Sequence, residues 1–379
     1  MSDVRILYIS SSAGWGGMEM HPIVVADALA DRGHEVTFAM QRASPVQRHM
    51  GERRFGSVAL HFPWYLDPAS YHRLRSVVRA QGINVIHVHY AKDTWRALLL
   101  AGIMRKRAVL VFTKHMGSPS SRRKKDPLHR LLVKRIDAVI AISSYIRGNV
   151  LKTSTIDASK VYVIRYGVGA EAVGRPQKGR EVRSKLGILP DEPLVGVVAQ
   201  LSPGKRQDLF LEAAHRVVEE FPACRFVLAG SATHDGYQRR MCSLIDTLKL
   251  ERHVRFMGFF EHIPSLMQAL DILVLPSKEE AFGLVLLEAM ANRRAVIASD
   301  SGALPEIVSH GLNGLLFEPG NPDALARSIA DLLTYPEKRV QMGEAGERMI
   351  RDRFMLDREV TDTERLYTDL LSQACQTRM

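Results

Sequence analysis

Two series of short, almost unbroken apolar runs, each run separated from the next by a longer amphipathic stretch, constrain this chain more than any other feature. The first series is "VRILYIS" (Val4–Ser10), "VTFAM" (Val36–Met40), "NVIHVHY" (Asn84–Tyr90), "AVLVFT" (Ala108–Thr113), "AVIAIS" (Ala138–Ser143) and "VYVIRYG" (Val161–Gly167). A β-branched run without polar alternation must be covered on both faces, which is the situation of a strand inside a parallel sheet. Amphipathic stretches such as Met18–Arg32 and Thr94–Lys106 supply that cover. The alternation then breaks at residues 169–193, "GAEAVGRPQKGREVRSKLGILPDEP", whose Gly, Pro and charge read as a linker with a short helix at Arg180–Leu186. It restarts with "LVGVVAQ" (Leu194–Gln200), "RFVLAG" (Arg225–Gly230), "VRFMG" (Val254–Gly258), "ILVLPS" (Ile272–Ser277), "AVIAS" (Ala295–Ser299) and "GLLF" (Gly314–Phe317), and turns helical after Asn321. Two βα series predict an α/β protein of two doubly wound parallel-sheet domains, 1–170 and 171–355, followed by a helix over 356–379. Ligands of such sheets bind beyond the carboxyl ends of the strands, and the crevice between two such domains is the expected site.

Charge narrows the partners. A formal charge of +11 favours anions: nucleotides, phosphorylated substrates, acidic membrane surfaces or nucleic acid. No zinc finger, aromatic RNA-binding motif or helix-turn-helix pattern accompanies it, so a nucleic-acid partner is not expected. No apolar run is long enough to span a bilayer, and the start "MSDVRILYIS" lacks the pattern of a secretory signal. Cys224, Cys242 and Cys375 are widely spaced, which suggests neither a disulfide framework nor a zinc site, so the expected location is the cytoplasm.

The chemistry-bearing stretch is "PSKEEAFGLVLLEAMA" (Pro276–Ala291), where Glu280 and Glu288 stand eight positions apart in an apolar setting. Glu280 falls on a loop after a strand and Glu288 between one and two turns into the following helix. That helix begins near Gly283, so the amides of Gly283, Leu284 and Val285 form an anion site. Glycine at 283 also lets a ligand approach the backbone. Such a constellation suits a nucleoside diphosphate sugar: diphosphate on the helix start, one carboxylate on the ribose hydroxyls, the other on the sugar. The plainer alternative is a solvated Glu288 with Glu280 as a loop charge capping the helix.

This segment resembles the E-x7-E signature of family 4 glycosyltransferases, retaining enzymes of the GT-B architecture, in which two Rossmann-like domains face an interdomain cleft. The resemblance continues through "SGALPEIVSHGLNGLLFEPGNPDALARSIADLL" (Ser301–Leu333), "LVGVVAQLSPGKRQDLFLEA" (Leu194–Ala213) and "GGMEMHPIVVADALADRGHEV" (Gly16–Val36). It implies that Lys205 neutralises the departing diphosphate, that Gly16 and Gly17 close around phosphate or the transferred sugar, and that His115 stands beside that sugar. It implies that Phe256 and Met257 meet the nucleobase through their backbone, and that Phe282, Gly283, Leu284, Val285 and Glu288 hold the donor while Glu280 positions the sugar. Gln200 stands where the family commonly has arginine, and Arg206 is the candidate to replace that charge. No metal or other cofactor is expected, since no Asp-x-Asp motif occurs in a suitable loop. The C-terminal helix is expected to cross back to the first domain, with residues 169–193 as a hinge.

His87 and His89 share a sheet face at period two and read as mostly structural, with His89 nearer the ligand end. The window "GWGGME" is not a dinucleotide fingerprint, because Glu19 takes the third glycine position. The basic run "SRRKKDPLHRLLVKR" (Ser121–Arg135) carries seven Lys or Arg against one Asp. Its Arg122, Arg123, Lys124 and Lys125 read as an acceptor grip, as a patch for an anionic membrane surface, or as a solvated face. The expected function is transfer of a sugar from a nucleotide sugar to a saccharide or lipid-linked acceptor in cell-envelope (lipopolysaccharide-type) synthesis, peripheral to the inner face of the membrane. The alternatives are an epimerase or phosphorylase of similar build, a two-lobed binding protein, and a nucleic-acid protein using the basic run.

Overall fold

The computed structural model describes residues 4–51, 53–62, 68–103, 108–117, 133–232 and 235–376. The chain divides into two compact units, Met1–Arg165 with Leu356–Met379, and Tyr166–Met355.

The first unit is built on a parallel sheet of seven strands: β1 (Arg5–Ser10), β2 (Glu35–Gln41), β3 (Gly56–Leu60), β4 (Val85–Val88), β5 (Val109–Lys114), β6 (Ala138–Ala141) and β7 (Val161–Val163). Their order is β3-β2-β1-β4-β5-β6-β7. Ile6 pairs with Val36 on one side and Val85 on the other, so β1 is central, and its Ile6, Leu7, Tyr8 and Ile9 are fully buried. The strand order reverses between β1 and β4, and there the connections leave a crevice at the carboxyl ends. The strand β3 was not expected from sequence. As an edge strand it is half exposed, and "GSVAL" has neither a full apolar run nor clean alternation. The last helix, Leu356–Gln376, belongs to this unit and buries Val360, Leu366, Tyr367 and Leu370 in its core. Each of the aliphatic side chains contributes about 1.5–3 kcal/mol by burial.

The second unit carries six parallel strands: β8 (Leu194–Val198), β9 (Arg225–Ala229), β10 (Val254–Gly258), β11 (Ile272–Leu275), β12 (Ala295–Ser299) and β13 (Leu315–Phe317). Their order is β10-β9-β8-β11-β12-β13, so the reversal lies between β8 and β11. The stretch read as a linker is packed structure instead: a 3-10 turn at Ala170–Ala172 and a helix at Pro176–Lys185. A Cβ at Gly174 would sit 2.1 Å from the Pro264 carbonyl oxygen and one at Gly179 2.6 Å from Gln268. These glycines serve close approach to the helix Ile263–Ala269, where the composition had suggested flexibility. Among the described residues no helix is long and apolar enough to cross a membrane.

Candidate functional site

In the second unit the loops after β8 and β11 meet at the reversal of strand order. After β11 the chain runs through Ser277–Gly283 into the helix Leu284–Ala291, "LVLLEAMA", whose Leu, Ala and Met are strong helix formers. Gly283 starts it at φ 98°, and a Cβ there would press on Leu304 at 2.8 Å, so glycine is required twice over. The amides of Gly283, Leu284 and Val285 have no acceptor among the described residues. Asn292 ends the helix, only 2% exposed. Its Oδ1 accepts from Gly174 N at 2.7 Å and Gln268 Nε2 at 2.9 Å, and its Nδ2 donates to the Ala172 and Glu288 carbonyls at 2.6 and 2.7 Å. That single side chain ties the helix of Glu288 to the packed stretch before β8.

After β8 comes the turn Pro203–Lys205, and Lys205 Nζ donates to both carboxylate oxygens of Glu280, at 2.9 and 2.7 Å. The two loops are joined again through Lys278 N and the Gly204 carbonyl at 2.9 Å. Two residues expected on one ligand therefore touch each other, half-buried, with 29% and 15% side-chain exposure. Such a pair adds little stability by itself but holds two opposite charges at one point. Glu280 is fixed from behind, since its carbonyl accepts from Ala303 N at 2.9 Å. Gly302, at φ 59°, lies so close that a Cβ would fall 2.3 Å from that oxygen.

Glu288 shares the face of Leu284 at i+4, about 6 Å further along the helix. Its carboxyl group has no hydrogen-bond or ion-pair partner among the described residues. The side chain is partly exposed at its edge, yet burial pushes its pKa up from 4.5 to about 7. It is not the solvated helix residue of the plainer reading.

Other expected positions separate. Phe282 is 3% exposed and packs edge-on against Tyr166 and Phe354 at 5.2 and 6.2 Å, so its side chain is core and a donor could meet only its backbone. Arg206, in the left-handed region at φ 53°, is turned toward Asp208 (Nε to Oδ1 3.1 Å), so its charge is already engaged. Gln200 is exposed, and its carbonyl accepts from Gln207 Nε2 at 3.0 Å. Phe256 and Met257 are half-buried on the edge strand β10, where the register slips between Phe256 and Gly258. Arg122, Arg123, Lys124 and Lys125 lie outside the described residues.

In the first unit the expected residues gather at the carboxyl ends of β1, β4 and β5. Gly17 opens the helix Gly17–Asp31 and Gly16 precedes it in extended backbone, φ −175°. A Cβ at Gly16 would make only ordinary contact with Glu19, at 3.5 Å, so neither conformation nor internal packing demands glycine there. Open backbone at this point suits a ligand. His115, just after β5, is buried, and its Nε2 lies 3.0 Å from His89 Nδ1. His87 is locked into the core, between Tyr367 OH at 2.5 Å and Thr113 Oγ1 at 2.6 Å.

Glu19, Tyr90 and Asp93 here were missed by sequence reasoning. Glu19, read only as breaking a glycine fingerprint, is 7% exposed and accepts from Ser12 Oγ at 2.8 Å and from Tyr90 OH. Asp93, fully buried, accepts from Ser11 N at 2.9 Å and pairs with Arg96 at 2.7 Å. These contacts fix the β1 loop on the residues after β4. A charged residue two places after a glycine pair, and Tyr90 and Asp93 straight after a strand end, were the available signals.

Residues 15–171 match the family described as Glycosyltransferase Family 4, and residues 179–349 match Glycosyl transferases group 1. The chain is 30% identical over 290 residues to lipopolysaccharide core biosynthesis mannosyltransferase LpcC of Rhizobium leguminosarum bv. viciae, covering 76% of this chain and 79% of that one. It is 26% identical over 369 residues to N-acetyl-alpha-D-glucosaminyl L-malate synthase of Bacillus anthracis, covering 94% of each. Among solved structures, Anabaena Alr3699/HepE in complex with UDP and glucose superposes with a TM-score of 0.86 at 23% identity, over 97% of this chain and 100% of that one. The two parallel-sheet units are those of the GT-B architecture.

Proposed function

The chain belongs to the family 4 glycosyltransferases, and from that premise we propose that it moves a sugar from a nucleotide diphosphate sugar to an acceptor hydroxyl with retention at the anomeric carbon. The observation that carries the donor side is the contact of Lys205 with Glu280 beside the open amides of Gly283–Val285. Cationic and amide donors aimed at one point are what a leaving diphosphate needs as its charge grows. The UDP and glucose held by Anabaena HepE favour the same class of donor.

Lys205 is paired with Glu280. An arriving diphosphate competes for the ammonium, and the carboxylate is released to accept hydroxyls of the sugar. Glu288, desolvated and unpartnered, accepts the ribose hydroxyls, which replace the water it has lost. The bond from the anomeric carbon to the diphosphate oxygen breaks with its electron pair passing to the diphosphate. The acceptor oxygen bonds the same carbon, and its proton leaves formally with the diphosphate. We assign His115 and the backbone of Gly16 and Gly17 to the transferred sugar. No side chain is assigned as a nucleophile, and the step needs no metal, so chelator should leave turnover unchanged.

The lipopolysaccharide mannosyltransferase relative favours a cell-envelope acceptor, with Arg122, Arg123, Lys124 and Lys125 gripping it or an anionic lipid surface. Liposome binding and acceptor turnover that survive removal of these four charges would end that part of the proposal. The donor assignment is tested by a thermal-shift panel of nucleotide diphosphate sugars, where saturation at 100 times Kd stabilises by ~2.7 kcal/mol. Glu288→Ala should abolish the shift given by the matching donor while lowering the melting point of the empty protein far less. A full shift in that variant would refute the assignment.

A further inference from the structure

Glu19 uses only one of its two carboxylate oxygens. Oε1 accepts from Ser12 Oγ at 2.8 Å and from the Tyr90 hydroxyl, and Ser12 Oγ in turn accepts from Gly14 N at 3.1 Å. Burial, and then the Glu19 carboxylate beside it, raises the Tyr90 pKa, so the phenol keeps its proton and is the donor. Oε2 has no hydrogen-bond or ion-pair partner among the described residues. A carboxylate offers about four lone-pair sites, and only those on Oε1 are used by a side chain just 7% exposed. A polar group so far withdrawn from water is short of hydrogen bonds.

The unused oxygen borders a defined open place. A Cβ built on Gly16 would have Glu19 Oε2, at 3.5 Å, as its one neighbour within 4 Å among the described residues, adjoining residues of the chain apart. A Cβ on Gly14 would instead meet Oε1 at 3.4 Å and Ser12 Oγ at 3.5 Å. The inner edge of the carboxylate is thus packed by the β1 loop, and the outer edge opens beside Gly16. The Gly16 backbone is extended, φ −175°, so what its missing side chain does is leave the approach to Oε2 clear. This place lies at the reversal of strand order between β1 and β4, where ligands of such sheets bind. Its occupant must bring a hydrogen. A phosphate oxygen would meet a like charge there, whereas a hydroxyl would meet an acceptor.

We propose that Glu19 is a substrate-binding residue whose Oε2 accepts a sugar hydroxyl in the open place beside Gly16, while Ser12 and Tyr90 hold Oε1 and fix the angle of that contact. That the hydroxyl belongs to a sugar rests on the proposed glycosyl transfer; the open oxygen does not. Two sugars meet in that reaction, the transferred one and the acceptor, and the experiment separates them.

The test follows the carboxyl carbon of Glu19 in the full-length protein labelled in glutamate, its signal picked out by its loss in Glu19→Gln. UDP-glucose, UDP-N-acetylglucosamine and GDP-mannose are added in turn, then the methyl glycosides of glucose and mannose to protein loaded with UDP or GDP. Movement with a nucleotide sugar assigns the hydroxyl to the transferred sugar, and movement with a methyl glycoside alone assigns it to the acceptor. No movement with any of them, or the same movement with bare UDP or GDP, would overturn the proposal. A thermal shift by a nucleotide sugar with Glu19 unmoved throughout would overturn it and leave the transferase reading standing. Glu19 moved by a methyl glycoside, with no thermal shift from any nucleotide sugar, would refute the transferase reading and keep the sugar site.

Two variants separate binding from mere support of the loop. In Glu19→Gln the hydroxyls of Ser12 and Tyr90 select the amide oxygen, so a donor replaces Oε2 and the loop stays tied. Tyr90→Phe loosens the loop and leaves Oε2 in place. Affinity for the responding sugar should fall at least tenfold in Glu19→Gln and far less in Tyr90→Phe, with the bare nucleotide bound as before in both. Equal losses in the two would show that Glu19 only ties the loop. Gly16→Ala, which the extended backbone accepts and whose methyl fills the open place, should reproduce the loss even if Glu19→Gln fails to fold; undiminished sugar affinity in that variant would also overturn the proposal.

Discussion

Replacing Glu288 by glutamine should make the empty protein more stable at pH 8 and have almost no effect at pH 4. The native pKa of Glu288 is raised by burial from 4.5 to about 7. Below pH 4.5 both folded and unfolded chains carry the proton, and the residue is neutral in both. Between 4.5 and 7 the unfolded chain releases its proton while the folded chain keeps it, so stability falls as pH rises. Above 7 the full penalty is present. A rise from 4.5 to about 7 corresponds to about 3 kcal/mol, an upper figure because the side chain retains some solvent contact. Glutamine has the same shape and no charge to desolvate. For a domain of this size ~2–3 kcal/mol is roughly 5–10 °C in Tm. Differential scanning calorimetry of ligand-free protein, wild type against Glu288→Gln, should show the gap opening between pH 5 and pH 8. The same variant should lose the thermal shift given by the donor, because the amide cannot accept two hydroxyls as a carboxylate does. A gap independent of pH, or a variant less stable than wild type at pH 8, would refute the claim that desolvation dominates at this site. The carboxylate would then have a compensating partner.

Donor affinity should rise with pH across 7, since the charged form of Glu288 is the one that accepts hydroxyls; calorimetric titration in buffers of different ionisation enthalpy should detect a proton released on binding. Lys205→Ala should lower kcat by ~10²–10³, as loss of one charge-stabilising donor does; leaving Glu280, 15% exposed, without its partner should cost a further ~1–3 kcal/mol of stability by urea melt. Gly302→Ala puts a Cβ within 2.3 Å of the Glu280 carbonyl oxygen, so it should displace Glu280 and cut turnover even where the protein still folds, read from kcat against a donor-binding control. Asn292→Ala removes four hydrogen bonds at a site 2% exposed and should cost about 2–4 kcal/mol, measured by denaturant midpoint.

Most of the fold is legible in the order of residues. Apolar runs such as "ILVLPS" and "AVLVFT" read as strands buried on both faces, and the longer amphipathic stretches between them are the length and pattern of parallel crossovers. The helix start at Gly283 is written in the same way, as a glycine followed by Leu, Val and Ala after a strand. The edge strand β3 escapes because an exposed edge needs no apolar run. Residues 169–193 mislead because glycine signals close packing as readily as it signals freedom, and only the neighbour decides: at Gly174 and Gly179 it is the backbone of Pro264 and Gln268.

The site divides along the same line. Sequence could nominate Lys205, Glu280, Glu288 and His115, because each residue type sits at the end of a strand or the start of a helix, where ligands bind. It could not say that Lys205 and Glu280 hold each other, that Glu288 has no partner among the described residues, or that His115 lies 3.0 Å from His89. Residues 75 or 26 positions apart are brought within 3 Å by parallel strands lying side by side. Protonation and pairing are properties of that neighbourhood: charge and proton position depend on which groups share a small, poorly hydrated volume, and chain order does not encode that volume until the sheet has assembled.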